Sequence, residues 1–279
     1  RVMKKTLIYH LYIGGDYKTD IIYKLHSECL KCFKYIFDAA KIVISVDNIN
    51  DKETIKWGIE WVNNIFSGIP IEISVTKNNP YREAITFYNK VLKNLDDELV
   101  FFFHGKGVTN FRDPERINSV FMWICAIYYY GLNPLYGTLS LLENGNKTMC
   151  GPLLFNQYEG DTNEHCKPFY AGAGYWINVK SLRNLEKMGI VPKIECNNRF
   201  LAEKYPGMVL NVHQEYGLDG TKCLMLDFTK CDGTFFYHGL KSDWEKILSQ
   251  YGDTEDFNAY VNYICKQVGF YPYNNKEVF

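Results

Sequence analysis

His104-Gly105-Lys106-Gly107 follows directly on the apolar run Leu99-Val-Phe-Phe-Phe103. An imidazole and an ammonium separated by one glycine are the groups that meet an anion: both donate hydrogen bonds, and the lysine brings a fixed positive charge. Gly105 and Gly107 let a ligand approach the backbone closely. Val100–Phe103 reads as a strand buried on both faces, as in a parallel sheet, and ligands of open α/β sheets bind just beyond the carboxyl ends of such strands. A glycine turn with a solvated lysine accounts for these residues equally well.

The elements that must position this segment alternate. Lys5–Ile13 reads as the first strand, ending at Gly14-Gly15, and Ile21–Ala40 as an amphipathic helix. Lys41–Val46 is a second strand running into the polar loop Asp47-Asn48-Ile49-Asn50-Asp51. Glu53–Phe66 is helical, Ile69–Val75 a third strand, Tyr81–Leu95 helical and Leu99–Phe103 the fourth strand. The βαβαβαβ order predicts a mostly parallel sheet with right-handed crossovers, whose ends gather His10, Asp47, Asn48, Asn79 and His104 on one edge. Beyond residue 110 the pattern weakens. Asn118–Tyr130 reads as a buried helix, Thr148–Phe155 as a strand, and Asn156–Lys167 as a long polar loop. Phe169–Asn178 is a small-residue turn entering an aromatic strand. Ser181–Met188 and Asn197–Tyr205 are helical, and a helical tail runs from Asp243 to about Gln267. The expected partition is one domain over residues 1–240 with a helical C-terminal extension, 241–279, packed on it.

Composition narrows the function classes. A chain of 279 residues that is 47% hydrophobic and 16% aromatic builds a substantial core. Its 31 basic and 32 acidic residues are interspersed, which argues against a nucleic-acid partner. The 22 tyrosines suit sugar or base stacking and a large core alike. Nine cysteines show no disulfide framework. Cys29-x-x-Cys32 lacks the second pair of a zinc site and falls on the apolar stripe Ile22, Leu25, Cys29, Phe33, Ile36. Reduced thiols point to a cytoplasmic setting. The chain opens on Arg1 with no visible signal peptide, and reads as a fragment or processed product. Val120–Tyr130 is too short to span a bilayer, so no transmembrane segment is expected.

The segments KTLIYHLYI, ISVDNIND, TKNNPYREAITFYN and VFFFHGKGVTN, with FYAGAGYWIN downstream, together resemble GT-A-fold glycosyltransferases over roughly residues 5–210. More narrowly, they resemble the bacterial and viral group with His-x-Lys-Gly at the end of the fourth strand. The resemblance implies a Rossmann-like α/β fold and a nucleotide-sugar donor, expected to be UDP-linked. It places His10, Tyr12, Asp47 and Asn48 at the base and ribose, and Asn79 and Arg82 near the nucleotide and diphosphate, with Gly105 and Gly107 in the same cradle. Asp47 reads equally as a cap or Asx turn, and Pro80 as ordinary helix-start chemistry.

Most such enzymes grip a divalent metal with Asp-x-Asp at the fourth strand; here His104 and Lys106 stand in that place without a carboxylate. The resemblance therefore implies neutralisation of the leaving diphosphate by Lys106 and no obligatory cofactor, with Mn²⁺ or Mg²⁺ left open. It makes Gly172, Gly174, Tyr175 and Trp176 the floor of the sugar and acceptor site, against core packing as the alternative for Trp176. It makes Glu203 the base for an inverting transfer, with Asp161 and Glu164 as competitors and a solvated helix charge as the alternative; retention stays open. Asp161 is also expected to contact substrate, and His238 is a reserve candidate. The expected acceptor is a glycan, a lipid-linked sugar or a protein hydroxyl, and the lipid case leaves peripheral membrane attachment open. A non-catalytic nucleotide-sugar or carbohydrate-binding protein of the same fold is the alternative. A P-loop phosphotransferase is excluded, because G-x-x-x-x-G-K-[ST] is absent.

Overall fold

The computed structural model describes residues 2–93, 96–105, 116–134, 138–144, 147–155, 169–189, 194–215, 239–252 and 254–274. Four strands, β1 (Lys5–Ile13), β2 (Ala39–Val46), β3 (Ile71–Lys77) and β4 (Leu99–His104), are mutually parallel. They belong to a six-stranded sheet of order β3-β2-β1-β4-β8-β5. In it β8 (Tyr175–Asn178) runs antiparallel to β4, and β5 (Met149–Cys150) antiparallel to β8. The expected strand Thr148–Phe155 is instead broken in two. Its second piece, β6 (Leu154–Phe155), leaves the sheet to pair with β7 (Phe169–Tyr170).

Strand alternation splits the core in two. Leu7, Tyr9, Leu11, Ile42, Ile44, Phe101, Phe103 and Trp176 face one layer. That layer is built from α1 (Ile21–Phe33), α2 (Lys52–Ile65), α4 (Ile117–Leu132) and the tail helices α8 (Lys241–Leu248) and α9 (Thr254–Val268). Ile8, Val100, Phe102, Tyr175 and Ile177 face the other. There the sheet meets α3 (Glu83–Thr86) with the π-helix Phe87–Leu92 that continues it, and α6 (Val179–Lys187) and α7 (Leu201–Glu215). His10 and His104 share the parity of Ile8 and Phe102, so β1 and β4 present them on the α3 side, whereas the Tyr12 ring, at the end of β1, packs against the first layer.

The buried helix α4 is apolar all round because it is covered on every side. The tail completes that cover: Tyr251 stacks on Tyr130 at 4.0 Å between ring centroids, Phe257 lies 5.2 Å from the same ring, and Trp244 Nε1 donates to Ser119 Oγ at 3.0 Å. A short helix, α5 (Thr138–Glu143), precedes β5.

Several boundaries differ from the sequence reading, each for a local reason. The helix expected to reach Ala40 ends at Phe33 with a 3₁₀ turn, Lys34–Ile36. Ala39 and Ala40 are claimed by the sheet, since Asp38 N donates to Lys5 O at 2.8 Å and Ala40 N to Pro70 O at 2.9 Å. The helix expected from Tyr81 starts at Glu83, because Arg82 has a left-handed φ of 49°. After four residues it widens into the π-helix Phe87–Leu92, whose last carbonyls are met by Arg183 Nη2, 3.0 Å from Val91 O and bonded also to Leu92 O. Helix α7 passes through Pro206 rather than stopping at Tyr205. A proline there cannot donate to Ala202 O; the Tyr175 hydroxyl donates to that carbonyl instead, at 2.6 Å.

Candidate functional site

The carboxyl ends of β1, β2, β3 and β4 open on one edge of the sheet, and most of the described candidates lie there. Asp47, exposed just past β2, is held from both sides: the Tyr12 hydroxyl donates to Oδ2 at 2.8 Å and Asn78 Nδ2 to Oδ1 at 3.1 Å. Burial and then the hydrogen bond to Asp47 push the Tyr12 phenol up to about 12, while the positive charge of Arg82 pulls the other way. Tyr12 therefore stays a neutral donor at pH 7, and each Asp47 oxygen keeps acceptor capacity for a ligand. The helix-cap alternative for Asp47 is removed. The N-cap of α2 is Asp51, whose Oδ1 accepts from Thr54 N at 3.1 Å.

The two asparagines act locally. Asn48 Oδ1 accepts from Asn50 N at 3.0 Å and Asn79 Oδ1 from Tyr81 N at 2.8 Å, so both close Asx turns that shape the rim. The first loop is fastened to α2, with Tyr17 packed on Trp57 at 4.8 Å and bonded to Thr54, and Lys18 paired with Glu53. The rim also exposes Ile49 and Tyr81.

Arg82 occupies an unusual turn. Arg82 N donates to Asn79 O at 3.0 Å and Ala84 N to Tyr81 O at 3.0 Å. Residues 81–84 thus form a tight turn with Arg82 at its first central position, at φ 49° and ψ −127°. Those are the angles of a type II′ turn, where glycine is the usual residue. An exposed arginine is held in a glycine conformation, near enough to Tyr12 for its charge to act on that phenol.

Beneath the rim, His10 and His104 sit opposite each other across the β1–β4 pair, and Gly105 N donates to His10 O at 2.9 Å. His10 Nδ1 shares a hydrogen bond of 2.8 Å with Thr86 Oγ1. His104 Nε2 lies 4.0 Å from Glu83 Oε1. Burial drives the His10 pKa down to about 4; the Glu83 carboxylate opposes this and His104 adds to it. His10 is neutral at pH 7. Glu83 and Thr86 were not among the sequence candidates, although their spacing of three places them on one face of a helical turn.

The expected sugar floor is corrected. Trp176 is fully buried in the layer opposite His10, packed on Phe101 at 5.2 Å and stacked on Phe37 at 5.6 Å, with Nε1 donating to Gly131 O at 2.7 Å. Tyr175 is fully buried against Phe87 and spends its hydroxyl on Ala202 O. Neither ring is available to a sugar. Gly172 and Gly174 do serve a close approach, but to helix α4: a Cβ on Gly174 would fall 2.3 Å from Ile127 Cγ2, and one on Gly172, at φ 79°, 2.9 Å from Ile127 Cδ1.

Glu203 lies half-buried in the first turn of α7, a helix that packs against α3 and the π-helix. Lys106, Gly107, Asp161, Glu164 and His238 lie outside the described residues. Among the described residues no three His, Cys, Asp or Glu side chains are grouped closely enough to hold a metal ion, and no helix is long and apolar enough to cross a membrane.

No family model matches the chain, and no curated protein matches it. Among solved structures the chain is similar to 4-diphosphocytidyl-2C-methyl-D-erythritol synthase from Anaerococcus prevotii. That likeness has 10% identity and a TM-score of 0.38, and covers 89% of this chain and 97% of the other. The chain is also similar to S. aureus TarS 1-349, with 13% identity and a TM-score of 0.36 over 95% of this chain and 70% of the other. Likeness of this grade carries no argument about activity, and the architecture rests on the strand order and pairing described above.

Proposed function

We propose that this chain is a glycosyltransferase of GT-A type that takes a nucleoside-diphosphate sugar, UDP-linked in the first instance, at the carboxyl ends of β1–β4. The reading is carried by one observation: an exposed carboxylate stands at the strand ends, fixed by Tyr12 and Asn78, and an exposed arginine in a turn that favours glycine is close enough for its charge to act on the same Tyr12. In this reading Asp47 accepts hydrogen bonds from base or ribose, Tyr81 offers its ring to the base, and Arg82 meets the diphosphate. His104 and Gly105 bring the chain to the point where Lys106 neutralises the departing diphosphate in place of a chelated ion. Glu203 deprotonates the acceptor hydroxyl of a glycan, lipid-linked sugar or protein, with inversion.

A thermal-shift screen with UDP, GDP, CMP and their sugar conjugates tests the binding half, because a ligand of the folded state raises Tm with occupancy. The reading expects a UDP-type nucleotide to raise Tm and Asp47→Asn to abolish the rise; no response to any nucleotide contradicts it. Turnover after exhaustive EDTA treatment tests the role of Lys106, with activity expected to persist. Complete loss rescued only by Mn²⁺ or Mg²⁺ would overturn it.

The second reading, a nucleotide-sugar-binding protein without transfer chemistry, is favoured by one observation: Tyr175 and Trp176 are core residues, so no aromatic from β8 reaches the sugar position. Donor hydrolysis without acceptor separates the two readings, and Glu203→Gln with unchanged turnover removes Glu203 from the transfer.

A further inference from the structure

We infer that Glu83 and Thr86 are positioning residues: through His104 and His10 they clamp the four-residue helix α3 onto the strand ends and so hold Arg82 in its strained turn near Tyr12. The inference rests on the proposed nucleotide site and adds to it two residues that touch no ligand.

The geometry has three parts. First, the backbone of Arg82 pays for an unfavourable conformation, which persists only where the surroundings over-determine it. Second, α3 is too short to hold that turn by its own hydrogen bonds, since a helix of one turn is unstable alone; the π-helix that follows places an irregular ladder directly behind it, as at many functional sites. Third, both polar side chains of α3 point down to the histidine pair. Thr86, itself buried, bonds His10 at 2.8 Å, and Glu83 faces His104 at 4.0 Å. Ala84 on the same short helix is fully buried against the sheet, so the clamp combines one hydrogen bond, one longer approach of a carboxylate to an imidazole, and one apolar anchor. The neutral state of His10, imposed by burial, lets Nδ1 serve as either partner in the bond to Thr86.

A loosened α3 would populate the competent turn only part of the time, and apparent affinity falls by that fraction. The test is a set of single variants, Thr86→Val, Thr86→Ser and Glu83→Gln, with Arg82→Ala and the double variant Thr86→Val/Arg82→Ala. Each is assayed for UDP affinity by calorimetry and for amide exchange over residues 78–92. Thr86→Val and Glu83→Gln are expected to weaken UDP about tenfold and to raise exchange over 78–92 while β2 and α2 stay as protected as before. Thr86→Ser, which keeps the hydroxyl, restores both. The double variant binds UDP no more weakly than Arg82→Ala, because the clamp acts through that arginine.

Additive losses, or unaltered exchange in Thr86→Val, would overturn the inference. A wild-type chain that binds none of UDP, GDP or CMP overturns the proposed function instead, and the exchange measurements then decide the clamp independently.

Discussion

Replacing Arg82 by glycine should stabilise the protein while weakening its hold on a nucleotide. At φ 49° and ψ −127° a side-chain-bearing residue carries about 1–3 kcal/mol of backbone strain, which glycine does not. Glycine returns roughly 0.5–1 kcal/mol through its greater freedom in the unfolded chain. The net gain is about 1 kcal/mol. With 279 residues and about 2.1 cal/mol/K of unfolding entropy per residue, that gain raises Tm by roughly 2 °C. Losing a charge-assisted hydrogen bond to a phosphate costs about 1.5–3 kcal/mol, equivalent to a Kd weakened roughly 10- to 150-fold. Arg82→Ala is the control: it removes the charge but keeps the strain, so affinity falls equally and Tm stays within about 1 °C. Differential scanning calorimetry with and without UDP reads both quantities. A Tm lowered by several degrees in Arg82→Gly would show that the arginine supports the fold. An unchanged Kd would show that it faces no phosphate.

Trp176→Ala is expected to cost about 4 kcal/mol through the cavity left between Phe37 and Phe101 and the stranded Gly131 carbonyl, a fall in Tm of roughly 7 °C. Folded protein retaining wild-type UDP affinity would confirm the core assignment, and a near-normal Tm with lost binding would contradict it. The buried, neutral His10 makes stability fall with acid. Its folded pKa of about 4 lies below the ordinary value of 6.5, so the stabilisation is complete above pH 6.5 and is lost as pH drops toward 4. Between pH 7.5 and pH 5 the loss from this group is roughly 2 kcal/mol. Denaturant midpoints at the two pH values measure it, and a His10→Gln variant should show a correspondingly shallower dependence.

The parallel half of the sheet was legible because its strands are buried on both faces and read as unbroken apolar runs that end in polar residues. KTLIYHLYI and LVFFFH leave little choice of element. What the sequence concealed was decided by contacts distant in the chain. Ala39 and Ala40, good helix formers, extend β2 because Lys5 and Pro70 supply their neighbourhood's hydrogen-bond partners. The start of α3 was misplaced because Arg82 carries no sign of a left-handed φ; glycine would have announced it. Asp47 was legible as the polar residue ending a buried strand. Thr86 and Glu83 were not, since polar residues three apart on a helix usually face water, and only the register of β1 with β4 brings two histidines beneath them. Trp176 misled because an aromatic after small residues fits a sugar platform and a packed strand alike. The parity of β8 with Phe101 decides for the core.

The most direct measurement is a crystal structure of the chain with UDP bound. The account predicts base or ribose against Asp47, with Tyr12 and Asn78 still holding that carboxylate, and phosphates within hydrogen-bond reach of Arg82. UDP ordered away from the carboxyl ends of β1–β4, with Asp47 and Arg82 untouched, would contradict it.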